Sequence, residues 1–337
     1  MALSKPTATV VALVLLPLIA APVLIGDVNP PPGPVTGTMK PLSQVEPRTP
    51  VETLPSGPSA TRVISQAGSY YLTGNLSLTG GSLAGIEIAT SGVTLDLSGF
   101  ALTGSGTGAA GILVSGVNRS NLVIRNGTIS GWNNGINGSN AVNSQVEGIC
   151  VSSGGNGIVM GNNCSVRDCT ARTNGLTGIS VGLSSLVTHC TSSGNFVDGI
   201  TLSNYGLVNQ CTAHDNFGRG FVATEGSAVI ECTSTFNDLS GIEVTTNTMV
   251  LHNTCMGNGT AAHANIYVLG NRNRIEGNQV SNSVRGIELD IGGNLVIQNS
   301  VSSAATAYDI VGTQTIGPIL VGGGTIASTN PWANFEF

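Results

Sequence analysis

Residues 157–240 read GIVMGNNCSVRDCTARTNGLT, GISVGLSSLVTHCTSSGNFVD, GITLSNYGLVNQCTAHDNFGR and GFVATEGSAVIECTSTFNDLS, four units of equal length that follow one another with no gap. Cys169, Cys190, Cys211 and Cys232 recur with a period of 21, as do Val166, Val187, Val208 and Val229, and Asn174, Asn195, Asn216 and Asn237. A fixed period of about 20 to 50 residues is the mark of a solenoid, in which each unit packs only on its neighbours.

Working outward from these units, a Gly-Ile-x-Val-like segment recurs along the chain. Its key apolar residue falls at Ile86, Ile112, Ile136, Ile158, Ile179, Ile200, Phe221, Ile242, Ile266, Ile287 and Ile310, so the interval runs from 21 to 26. Such units are too short for helix-containing repeats of about 33 residues or more. No six-residue period appears, which excludes the short left-handed hexapeptide coil. The remaining architecture is all-β: a single-stranded right-handed parallel β-helix of about eleven rungs, with three short strands to a rung. Right-handedness is expected because parallel crossovers strongly prefer that hand.

One rung can be read residue by residue. Strand alternation turns Ile179 and Val181 inward and Ser180 outward, Val187 inward on a second strand, and Cys190 and Ser192 inward on a third. Asparagine tolerates left-handed backbone, and its amide can bond the copy one rung away. Asn174 to Asn237 are therefore expected to form a ladder. The stacked cysteines read as small core residues with reduced, unreactive thiols, and a serine in place of Cys211 is expected to bury a hydroxyl without a good partner.

Composition agrees with a strand-built rod. Of 337 residues 47 are glycine, only 9% are charged and 4% aromatic, while 40% are hydrophobic. Disorder needs low hydrophobicity and high net charge, so it is excluded for the repeats. The net charge is −6, and both lysines, Lys5 and Lys40, precede the repeats. No basic stripe is present, so nucleic acid is not an expected partner.

Four segments follow. Residues 1–26, with Lys5 and an apolar run over 10–26 broken by Pro17 and Pro22, read as a signal peptide, too short and interrupted for a membrane span of about 20 apolar residues. Secretion or display at the cell surface is the expectation, with no stable membrane span after processing. Residues 27–61 read as a tether, since nine of the fourteen prolines lie between Asp27 and Ala60. The β-helix is expected over 62–327, a stretch with no proline between Pro58 and Pro318, as strand ladders require. Residues 328–337 are the expected C-terminal cap, with Trp332, Phe335 and Phe337 covering exposed core.

Candidate sites are few. Asp168, His189, Gln210, Glu231 and His252 fall at the bend after the second strand on successive rungs. Titratable groups about 5 Å apart can act as acid and base, so Asp168, His189, Glu231 and His252 are the catalytic candidates if the protein is an enzyme. The simpler reading is a solvated turn. Arg125, Glu147 and Arg167 occupy the preceding column and read first as a surface charge ladder, with uronate binding as the functional alternative. Asp198 with Arg219 makes a similar pair. Glu243 and Glu288, with Asp290, face outward on the first strand, but two rungs place the glutamates about 10 Å apart. No metal-ligand spacing occurs among the seven cysteines, and no cofactor motif is present.

The segments TMKPLSQVEPRTP (38–50), ISQAGSYYLTGNL (64–76), GVTLDLSGFALTG (92–104), IRNGTISGW (124–132) and TNPWANFEF (329–337) are similar to those of secreted β-helix proteins abundant in planctomycetes. More broadly, the pattern resembles the pectin-lyase-like superfamily of pectate lyases, polygalacturonases and alginate epimerases. That resemblance implies the β-helix fold and export. No catalytic motif of the lyases or polygalacturonases maps onto this chain, so it assigns no site residue.

Two functions are consistent with these readings. One is a non-catalytic surface or matrix module that binds polysaccharide or cell-surface glycan or serves as structure. The alternative is a polysaccharide lyase, hydrolase or epimerase, the lyase being the one case in which calcium would be needed. A coil this short is taken up almost wholly by strands and leaves little for the loops on which sites are built, which favours the first.

Overall fold

The computed structural model describes residues 48–78, 81–106, 108–259, 263–325 and 328–337. The expected signal peptide and most of the expected tether, residues 27–47, lie outside the described residues. What is described is an all-β parallel solenoid of about twelve turns, close to the eleven rungs expected. In the rung read above, the strands are Ile179–Val181, Leu186–Thr188 and Thr191–Ser193, followed by Ile200–Leu202 of the next coil. Each pairs in parallel with its copy one coil on, Ile179 facing Ile200, Val187 facing Val208 and Ser192 facing Ala213.

The extra turn lies at the N-terminal end. Arg62 faces Ile86, so the apolar column starts one coil earlier than its first isoleucine. At the other end Ile287 faces Tyr308, and Ile310 faces Leu289. Tyr308, not Ile310, therefore ends the column. The described part of the proline-rich segment also belongs to the solenoid: Thr49–Pro50 pairs with Tyr70 and Tyr71, and Val51 is buried.

Each regular coil turns three corners, and each corner is one residue in the left-handed region. In the coil 178–198 these are Ser184 (φ 54°), His189 (φ 53°) and Gly194 (φ 60°); in the next they are Tyr205, Gln210 and Asp215. The left-handed region is unfavourable for non-glycine residues, and tight stacking overrides that preference. The residue after each corner has an amide that points along the axis, and a side chain of the following coil accepts it. At the first corner Cys164 N donates to Ser185 Oγ at 3.0 Å and Gly206 N to Ser227 Oγ at 3.1 Å. At the third, Asn174 N donates to Asn195 Oδ1 and Asn195 N to Asn216 Oδ1, both at 3.1 Å.

The asparagine ladder expected from the period is present and longer. Nδ2–H to Oδ1 bonds of 2.7–2.8 Å link Asn174, Asn195, Asn216, Asn237 and Asn258, and Asn265 closes the run. All six are buried.

The cysteines cap the second corner in the same way. Cys190 N donates to Cys211 Sγ at 3.3 Å, while the Cys211 thiol donates to Asn209 O at 3.3 Å. The column then changes residue type: Cys232 N donates to Asn253 Oδ1, and Asn253, Asn278, Asn299 and Asn334 continue as a second ladder. All seven thiols are free. The Cys190 thiol pulls Cys211 down, but Cys232 and burial outweigh it and push the group up to about 12. A serine hydroxyl at Cys211 therefore has partners waiting, contrary to the sequence expectation.

The core is a narrow column of small apolar side chains, with Phe221 its largest fully buried member. Trp132 fills the third corner of an early coil, where a Cβ on Gly104 would come within 2.7 Å of its ring. At the C-terminal end Asn334–Glu336 and Ile319–Val321 pair with each other and extend the ladder. Trp332 and Phe337, expected to cover the core, are instead 52% and 66% exposed, because the tail adds strands and hydrogen bonds and leaves its aromatics outside.

Candidate functional site

The second-corner column places Asp168, His189, Gln210, Glu231 and His252 one above another, all left-handed and all exposed. Gln210 Nε2 donates to Glu231 Oε2 at 2.9 Å. On one side the column is flanked by Thr188, Asn209, Ile230 and Leu251, and on the other by a threonine ladder, Thr170 to Thr254. Beside His189, Gln210 and Glu231 neither flank supplies a second titratable group; Arg167 and Glu276 stand only at the two ends of the first flank.

Arg125, Glu147 and Arg167 are consecutive in register, but their pairing is not the simple alternation the sequence suggests. Arg167 bonds Glu147 at 2.6 Å, whereas Arg125 turns to Asp96 on the preceding coil at 3.0 Å. Asp96 is the hub: it is buried, accepts Ser98 N at 2.8 Å, and lies 3.8 Å from Arg48, which stacks 4.6 Å over the Tyr71 ring. Only the register between neighbouring coils, which sets Arg125 opposite Asp96, reveals it.

The densest constellation lies elsewhere, at the third corner and along the first-strand face that follows it. Leu176, Phe196, Val197, Phe217 and Phe236 are exposed on successive coils of that corner. Phe196 and Phe217 stack at 4.9 Å between ring centroids, and the position preceding Phe196 in the stack is Gly175, which puts no side chain against the ring. Phe236 lies against Gly257, where a Cβ would approach its ring to 2.8 Å. Asp215, Phe217, Phe236 and Asp238 border a shallow depression of about 170 Å³.

Beside this ridge Arg219 forks between two coils. Its Nε and Nη2 donate to the two carboxylate oxygens of buried Asp198 at 3.0 and 2.9 Å, and its Nη1 donates to Glu243 at 2.5 Å. Glu243, Tyr267, Glu288 and Asp309 then follow in one outward column. Tyr267 occupies the rung between the two glutamates that looked too far apart to act together, and its Oη donates to Asp290 at 2.5 Å. Arg285 bridges Glu288 at 3.0 Å and Asp309 at 3.2 Å.

Electrostatics follow from this crowding. The hydrogen bond to Asp290 raises the Tyr267 phenol to about 12, aided by burial and by the carboxylates of Asp290, Glu288 and Glu243. Burial raises the Glu288 carboxyl, with Arg285 opposing. Rung phase could have joined Glu243, Tyr267 and Glu288, which are register partners after Val222, but Arg219 and Arg285 each sit three residues before that column and reach it only through their side chains. Among the described residues no group of three or more His, Cys, Asp and Glu is placed to hold a metal ion, and no helix is long and apolar enough to cross a membrane.

Comparison with known proteins agrees with the fold. A family model described as right handed beta helix region matches residues 198–316. The A-modules of two mannuronan C-5 epimerases of Azotobacter vinelandii are similar in structure. One has a TM-score of 0.54 at 17% identity, over 80% of this chain and 89% of that one. The other has a TM-score of 0.56 at 17% identity, over 74% and 91%. A periplasmic alginate epimerase has a TM-score of 0.51 at 12% identity, over 85% and 80%. Among curated proteins no sequence matches. At such identities the likeness is one of fold. By fold, the chain is a right-handed parallel β-helix.

Proposed function

We propose that this protein is an exported, non-catalytic β-helix that binds an extended glycan along its third corner. The observation that carries the reading is the exposed aromatic ridge of Phe196, Phe217 and Phe236, in a chain of which aromatics make up only 4%. Large apolar side chains clustered on the outside of a rigid scaffold mark a binding surface, because leaving them in water is unfavourable. Sugar rings offer apolar C–H faces to such a ridge, and the carboxylates of Asp215 and Asp238, bordering the depression beside Phe217 and Phe236, can accept from hydroxyl groups. The structural neighbours named above as acting on mannuronan and alginate make a polysaccharide partner the natural class.

The test is affinity electrophoresis of the folded protein through gels containing single polysaccharides. At least one polymer is expected to retard the wild type, and Phe217→Ala is expected to weaken that retardation severalfold while leaving the unfolding midpoint within experimental error. Equal retardation of both proteins would remove the ridge from the binding surface.

A second reading, a polysaccharide-processing enzyme, has one observation in its favour. Glu243, Tyr267, Glu288 and Asp290 gather an unusual density of proton-carrying groups on one face, and paired carboxyls of this kind can cleave glycosidic bonds. New reducing ends or unsaturated products from any retained polymer, lost in Glu288→Gln, would establish it over the binding reading.

A further inference from the structure

Building on the glycan reading above, we infer that the third-corner surface selects neutral glycans and rejects polyuronates. Recognition of a sugar carboxylate needs a cation with hydrogen bonds to give, ideally the planar fork of an arginine. Along its first-strand face the surface has two arginines, and both forks are engaged; Arg172 is exposed on the third strand, on the other side of the corner. Arg219 commits Nε and Nη2 to Asp198 and Nη1 to Glu243. Arg285 is held by Glu288 and Asp309. A uronate could recruit either only by displacing a carboxylate that is already partly shielded from water: the side chains of Asp198, Glu243 and Glu288 are 7%, 13% and 14% exposed.

The field of the region points the same way. Asp198, Glu243, Glu288, Asp290 and Asp309 stand against Arg219 and Arg285. Five carboxylates against two arginines leave this face with a net −3. A polyuronate laid along this face brings a negative charge on every sugar and meets repulsion at the coils of Glu243, Glu288 and Asp309, whereas a neutral chain meets apolar rings and carboxylate acceptors for its hydroxyls. The fold neighbours named as acting on mannuronan and alginate share the scaffold; the charge on this surface is this chain's own.

The experiment compares neutral polymers (laminarin, galactomannan, xyloglucan and dextran) with alginate and polygalacturonate by affinity electrophoresis at low and at high salt. At low salt a neutral polymer is expected to retard the full-length protein at least tenfold more strongly than either polyuronate, with little salt dependence. Glu288→Gln combined with Asp309→Asn frees Arg285 and removes two charges, and is expected to raise alginate retardation severalfold. Retardation by a polyuronate as strong as by any neutral polymer would overturn the inference and leave the glycan reading standing. Failure of every polymer would overturn both. A double variant with the wild-type unfolding midpoint and no gain on alginate would overturn the argument from the engaged arginines.

Discussion

The coils of residues 157–240 and those of residues 279–310 turn the same solenoid but close its third corner differently. In the regular coils the next inward apolar residue lies five positions after the ladder asparagine, as from Asn195 to Ile200 and from Asn216 to Phe221. The corner has room to bend, and the asparagine amide is buried across it. In the last coils the position of the asparagine falls to Ser283 and Ala304, and the spacing shortens by one, to Ile287 and Tyr308. Third and first strands then fuse into the eleven-residue strands Gln279–Leu289 and Ser300–Ile310. Asn265 sits at the boundary, accepting from Asn258 and donating to Ser281 O. The corner is thus a joint product of loop length and a buried amide. Losing both leaves the left-handed residue in place, at Asn282 and Ser303, but lets strand pairing run through it into the segment that carries Arg285 up to Glu288 and Asp309.

The largest effect should come from cutting the ladder where it does most. Asn216→Ala removes acceptor and donor at once, stranding the Asn195 amide and Ser192 O, and should destabilise by about 2 to 5 kcal/mol in urea unfolding. The matching change beyond the boundary, Ser283→Ala, deletes a buried hydroxyl with no partner and should cost almost nothing. Equal losses would mean that the two corners are held by the same forces after all.

Next in size is Gly257→Ala, at the last corner before the change. Its φ of 66° and the Phe236 ring both oppose a Cβ, so about 1 to 3 kcal/mol is expected. Adding Phe236→Ala should recover the steric part and leave the backbone part. A double-mutant cycle with no coupling would show that the ring is not seated on this glycine.

The second corner offers a smaller contrast, cysteine in the regular coils against asparagine in the last. Cys211→Ala leaves Cys190 N without its acceptor and should cost about 1 to 2 kcal/mol, whereas Cys211→Ser should stay within about 1 kcal/mol because serine caps the first corner with the same geometry. With the thiol pushed up to about 12, labelling at neutral pH should occur only on unfolding. Fast labelling of the native protein would show that the column opens.

The smallest effect is one of pH and belongs to the last coils. The folded Tyr267 phenol lies above its unfolded value, so its hydrogen bond to Asp290 contributes stability that is present below about pH 10. That contribution is lost as pH rises through about 12. Ultraviolet titration should show late-ionising tyrosines, Tyr70, Tyr267 and Tyr308, and their number should fall by one in Tyr267→Phe. Ionisation of Tyr267 together with the exposed tyrosines would sink the assignment.

Much of this fold was legible because a solenoid writes its contacts as a period. Ile179, Val187 and Cys190 face inward as strand alternation requires, and the asparagine ladder follows from four residues spaced by 21. The second corner was legible as a bend, but the left-handed backbone of the corner residues was not. Tyr205, Phe236 and Arg272 have no left-handed preference of their own and adopt it because the coils on either side fix the path. The cap was misread for a related reason: apolar residues at a chain end suggest cover, but Trp332 and Phe337 are held outside by the strand pairing of Asn334–Glu336.

The sequence by itself determined the architecture, the rung length, the inward columns and the ladder. Each depends on residues one period apart, and in a stacked coil one period in sequence is one step in space. Tertiary structure alone decided the charge network. Asp96 with Arg125, Arg219 with Glu243, and Tyr267 between two glutamates are joined across whole coils of unequal length and by rotamers that select one of several partners within reach. A long charged side chain can span more than one rung, so its phase names a neighbourhood, and only the packed face settles which carboxylate it meets.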